Sequence, residues 1–153
     1  MFQPNRGLRA GGAIVAGLLS VTGLAVAGTE VANAAPGTCT RKVIDAHDTN
    51  GAVYHYGYVC NTFRDTYTYY NTGTASIDYR HEGLLYAGSN WVICQRTGRT
   101  NPTTTSNGHT NTNHWWLYTQ GDVGYHDAGW GWIPATYVTQ GGNNAAVPGV
   151  PAC

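Results

Sequence analysis

The chain has 153 residues and a mass of 16.4 kDa, room for one small domain with an extension. Only 10% of its residues are charged and the formal net charge is zero, which speaks against a nucleic-acid-binding face. The 11 Tyr, 5 Trp and 21 Gly speak against intrinsic disorder and for short strands joined by tight turns.

Residues 1–34 read as an export segment. Arg6 and Arg9 supply a positive start, and Ala10 to Gly28 is Gly, Ala, Val, Leu and Ile broken only by Ser20 and Thr22. Ala32-Asn33-Ala34 follows as an A-x-A cleavage pattern. The apolar run approaches the length of a membrane span. Its Gly and Ala content and the cleavage pattern favour removal, and hence a secreted protein, extracellular or wall-associated, with no membrane contact afterwards. Cleavage before Ala35 leaves 119 residues with six Lys and Arg against seven Asp and Glu, a net charge of −1, and Lys42 as the single lysine.

Four cysteines in a short exported chain predict two disulfides. Of the three possible connectivities, spacing favours Cys39 with Cys60 and Cys94 with Cys153. Asn50-Gly51 predicts a hairpin turn, because both residues tolerate positive φ. Folding about it brings residues 39 and 60 opposite each other. Zinc is not expected, because there is no C-x-x-C and no paired His. Tyr54, Tyr56 and Tyr58 share one face of the second strand. They would either pack the hairpin against the rest or form an exposed stripe for glycan stacking; packing is the favoured reading.

No segment shows helical periodicity. Phe63 to Tyr70 is an extended Thr/Tyr run, Asn71 to Ser76 a polar loop, and Gly83 to Gly88 a short apolar strand. Trp91 to Gln95 reads as a core strand, 97–113 as a long surface loop, and His114 to Tyr118 and Trp130 to Ile133 as further strands. Pro134 to Tyr137 predicts one tight turn before Val138-Thr139. Trp91, Trp116 and Ile133, with Ile93 and Leu84, are the expected inward set.

The order of Gly83-x-Leu85-x-x-Gly88, Cys94-Gln95, Trp115-Trp116-Leu117 and Gly131-Trp132-Ile133-Pro134-Ala135-x-Tyr137-Val138 resembles an SH3-like domain. It is most similar to the bacterial SH3 (SH3b) modules of small exported actinobacterial proteins. The resemblance covers about Thr66 to Thr139 and the tail Val147 to Cys153; the first hairpin is an addition to the minimal module. It implies an all-β fold: a small SH3-like barrel at 63–140, a disulfide-tied hairpin extension at 35–62, and a tail at 141–153. It also implies a ligand groove at Trp115, Pro134 and Tyr137, with Trp130 beside them, for cell-wall peptide or another extended peptide.

Other chemistries find little support in the residues. No H-E-x-x-H gathers the six histidines, including His109, His114 and His126, and no G-x-S-x-G marks a nucleophile. Asp122 and Asp127 are too few for a calcium loop. The expectation is a monomeric, cofactor-free, non-catalytic binding module. The alternative is a secreted inhibitor of an extracellular enzyme, presenting the loop at 97–113.

Overall fold

A computed structural model describes residues 37–72, 80–106 and 109–153; residues 1–34, expected to be an export segment, and residues 73–76 of the polar loop lie outside the described residues. Among the described residues there are eleven strands: β1 (Thr40–His47), β2 (Val53–Thr62), β3 (Thr66–Tyr69), β4 (His81–Leu85), β5 (Gly88–Val92), β6 (Cys94–Thr97), β7 (Thr104–Ser106), β8 (His109–Asn111), β9 (Trp115–Gln120), β10 (Val123–Gly124) and β11 (Trp130–Pro134). Single 3-10 turns follow at Asp127–Gly129 and Ala135–Tyr137. The fold is all-β, as the aromatic- and glycine-rich composition predicts.

The first hairpin forms where Asn50-Gly51 places it, with Gly51 at φ +85°. Asp48 organises its tip. The Oδ1 atom accepts the backbone N–H groups of Asn50 and Ala52, both at 2.9 Å, so the carboxylate satisfies donors that the ladder cannot reach. The hairpin is not a separate extension in its hydrogen bonding. Strand β2 also pairs with β5, giving the sheet order β1-β2-β5.

The predicted core strand Trp91 to Gln95 changes sheets midway. Residues up to Val92 pair with β2, while those from Cys94 pair with β9. Strand β6 thereby edges a six-stranded sheet of order β10-β4-β3-β11-β9-β6. Among the described residues no pairing joins β10 to β6, so these two strands do not close a ring.

The alternation along β9 and β11 differs from the expected one. Leu117 faces Ile133 across the ladder and Trp116 faces Pro134. Directly opposed residues share a face, so Trp116 lies on the opposite side from Ile133. Leu117 takes the inward place instead. Leu117, Ile133 and Val92 are all fully buried, in a cluster with Leu85, Val138, Val147, Val150 and the Cys39–Cys60 pair. Burial of each large aliphatic side chain is worth roughly 1.5–3 kcal/mol.

Both disulfides form with the favoured pairing, Cys39–Cys60 and Cys94–Cys153, closing separations of 21 and 59 residues. Loop entropy gives them about 3 and about 4 kcal/mol. The tail has one isolated parallel bridge, Gln95 to Ala152, and otherwise lacks a ladder. The buried Gln95 side chain supplies the missing partners: its Nε2 donates to the carbonyls of Val147 (2.9 Å) and Val150 (2.6 Å), and its Oε1 accepts the Val147 N–H (2.8 Å). A backbone without strand neighbours must find such partners when it is buried.

Candidate functional site

The register divides the six-stranded sheet into two faces. Leu117, Thr119, Ile133, Thr66 and Thr68 line the inner one, and Gly131, opposite Thr119, belongs to it. Trp116, Tyr118, Trp130, Trp132, Tyr69 and Arg96 line the other, placed there by the pairs Trp132 with Tyr118, Trp132 with Tyr69, and Arg96 with Trp116. Gly131 lets β3 approach, since a Cβ there would sit 2.7 Å from the Tyr69 carbonyl oxygen.

The aromatic face is a connected set of rings. Tyr118 stacks on Trp130 at 5.4 Å between centroids and lies 4.9 Å from Trp132. Tyr54 of the hairpin packs on Trp130 at 5.4 Å, and Trp91 reaches it from another side at 5.5 Å. The Trp130 indole N–H donates to the His47 carbonyl at 3.0 Å, which gives its buried polar atom a partner. Trp130 is thus the peg that fixes the hairpin tip over the sheet.

Between that tip and the sheet lies a cleft of about 530 Å³. Tyr118, Trp130 and Trp132 form its floor, Thr49 and Asn50 one wall, and Arg96 and Asp127 part of its rim. Tyr118 is the most open of the floor rings, being half-buried while both tryptophans are buried. Asp127 sits in left-handed backbone at φ 44°, followed by Ala128 at 52° and Gly129 at 83°. Left-handed non-glycine residues carry strain that the surroundings must hold. Here the Asp127 carboxylate accepts from Arg80 Nη2 at 3.2 Å, and Arg80 also pairs through Nε with the buried Glu82.

Asp48 couples tip and floor. Burial pulls its carboxyl pKa upward, but hydrogen bonds from the Ala52 N–H, the Tyr54 hydroxyl, the Asn50 N–H and Tyr118 outweigh it and hold the group below the ordinary 3.8. Burial, then the hydrogen bond and charge of Asp48, push Tyr54 up to about 12. Tyr118 is raised further, chiefly by burial. Neither phenol is primed as a nucleophile or base; both are hydrogen-bond donors that stay neutral over the ordinary pH range.

The four residues expected to form one groove are not brought together. Trp130 lines the cleft but is 3% exposed, and Pro134 is fully buried on the same face. Trp115 lies on the inner face, packed against the core cluster. Tyr137 is buried in the second 3-10 turn and borders a separate hollow of about 320 Å³, with Arg64 and Tyr67 nearby. Of the tyrosine stripe, Tyr54 and Tyr58 pack inward, as favoured, while Tyr56 is exposed under the Arg41 guanidinium at 3.6 Å.

Asp48, Tyr118, Trp132 and Arg96 were not singled out by the sequence. Only Asp48 had a local signal, the Asp-x-Asn-Gly turn chemistry. Asp122 accepts the Tyr86 N–H at 2.7 Å, and Asp127 is turned to Arg80, so the two aspartates serve separate structural roles. Among the described residues no three His, Cys, Asp or Glu side chains converge as a metal site, and no helix is long and apolar enough to cross a membrane. No protein-family model, curated protein or solved structure matches this chain.

Proposed function

We propose that this protein is a secreted, monomeric, non-catalytic binding module of the SH3b type, which grips cell-wall peptide or another extended peptide at the cell surface. The observation that carries the reading is the cleft under the hairpin tip, with its aromatic floor and hydrogen-bonding rim. Aromatic rings offer area to a polymer backbone at little conformational cost, and scattered polar groups fix its direction. The export pattern, the two disulfides and the low charge support an extracellular setting. The motif order from Gly83 to Val138, in a chain that folds as all-β, supports the SH3-like assignment. The groove of this proposal runs over Tyr118, Trp130 and Trp132 rather than through Trp115 and Tyr137.

The test is co-sedimentation of the purified protein with purified bacterial cell walls, alongside Tyr118→Ala. Retention by walls, lost in the variant while its near-ultraviolet circular dichroism stays folded, supports the reading. Absence of binding to any wall fraction or wall-derived peptide sinks it. Tight inhibition of a secreted enzyme without wall affinity would put an inhibitor in its place.

A further inference from the structure

Among the described residues four arginines lie over aromatic rings: Arg41 over Tyr56, Arg64 over Tyr137, Arg80 over Tyr70 and Arg96 over Trp132. They differ in what else they touch. Arg80 is engaged by Glu82 and Asp127. Arg96 lines the cleft under the hairpin tip and, among the described residues, has no carboxylate partner.

Its orientation is nonetheless built. The guanidinium lies 3.9 Å from the Trp132 ring centroid, and its Nε donates to Thr72 Oγ1 at 3.2 Å. Thr72 is buried, and its own carbonyl accepts the Arg99 N–H at 2.9 Å. The chain passes close enough at Gly98 that a Cβ there would lie 2.5 Å from the Thr72 carbonyl oxygen. So one face of the fork and its Nε are occupied, and the two Nη groups remain. Arg96 is exposed at the rim, and the chain packed beside its guanidinium lowers its pKa by desolvation. A planar fork held this way matches a carboxylate end-on, through two parallel hydrogen bonds.

We propose that Arg96 is the carboxylate-binding residue of this cleft, and that its ligand is an extended peptide presenting a free carboxylate, with the adjoining backbone laid over Tyr118. This rests on the binding-module reading. A single-charged anion suits the site better than a phosphate. Among the described residues Arg96 is the one cation on its lining, and Asp127 stands on the same rim. Phosphate sites gather several cations or a cluster of backbone N–H groups.

The experiment uses calorimetric titration with peptides released from purified cell walls, before and after carbodiimide amidation of their carboxylates, with acetyl-trialanine and its amide as defined probes. The expected result is that the free acids bind and the amides bind about twofold to fivefold more weakly, the range of an ion pair at an exposed site. Arg96→Gln should erase the difference between acid and amide. Arg96→Lys should keep part of it, because charge survives while the fork does not. Thr72→Val should weaken acid binding but leave amide binding unchanged, the signature of a positioning residue. Equal binding of acid and amide to the unaltered protein overturns the carboxylate assignment while leaving the binding module standing. Competition by inorganic phosphate but not by acetate also overturns it. Absence of binding by any wall peptide removes the module reading, and the assignment with it.

Discussion

The inner face of the six-stranded sheet and its outer face are built from different materials. The inner face sets Leu117 against Ile133, flanks them with Thr66, Thr68 and Thr119, and is buried, with the half-buried Trp115 at its edge. Its shape is filled by small and branched groups that pack in one way. The outer face carries Trp116, Tyr118, Trp130 and Trp132, and the polar tips of the first three reach backbone or carboxylate partners at the margin. The Trp116 indole N–H donates to Arg99, as that of Trp130 does to His47. One face therefore holds the sheet to the core; the other holds connecting segments to the sheet and leaves Tyr118 in the cleft between them. With only 10% charged residues in the chain, aromatic area and single hydrogen bonds do the work that ion pairs do elsewhere.

The sharpest challenge to that division is Trp130, which lies on the outer face but is as buried as the core. Trp130→Ala should cost about 3–5 kcal/mol, the usual penalty for deleting a large buried ring. Its damage should be local in hydrogen exchange. Amides of the hairpin around His47 to Val53 should lose protection first, because Trp130 contacts Tyr54 and His47. Uniform loss across the sheet would show that the two faces are one cooperative unit.

Leu117→Ala tests the other side. It should destabilise the fold by about 2–5 kcal/mol, measured by denaturant midpoint, while the folded fraction binds wall peptide with unchanged affinity. A loss of affinity in the folded fraction would show that the inner face shapes the cleft after all.

These two substitutions also mark how far the sequence could be read. The all-β class, the first hairpin, both disulfide pairings and the 3-10 turn after Pro134 were legible, because each rests on a local rule: alternation, turn chemistry, cysteine spacing, proline geometry. The face on which Trp115 sits was not. Strand β9 reads Trp-Trp-Leu-Tyr-Thr-Gln, with an aromatic on each face and a polar residue on each face, so alternation alone cannot orient it. Its partners settle the matter, since Ile133 falls opposite Leu117 and Gly131 opposite Thr119. The cleft was out of reach for a related reason. Asn50 and Tyr118 are distant in the chain and meet only because Trp130 docks one hairpin on another sheet. Nor could spacing reveal that Gln95, noted only as the neighbour of Cys94, pins the tail with its amide.

The smallest effect concerns the link between tip and floor. Asp48 has a folded pKa below its ordinary 3.8, so it contributes stability above that value and loses the contribution as pH falls through the folded pKa. Tyr54 runs the opposite way. Its pKa is raised from 10.0 to about 12, so its contribution is complete below 10.0 and is lost as pH rises through about 12. Asp48→Asn keeps the size of the side chain and removes the charge. Its Tm should lie a few degrees below that of the unaltered protein at neutral pH, and the gap should narrow in acid as the native carboxylate is protonated. Tyrosinate absorbance should show Tyr54 titrating at lower pH in the variant, though still above 10.0, because the burial that comes first among its causes remains. A gap in Tm that persists unchanged into strong acid would mean that Asp48 acts through the geometry of the turn rather than through its charge. Trp130 would then carry most of the electrostatic and packing link between the outer face and the hairpin, beside the Tyr54–Tyr118 edge contact.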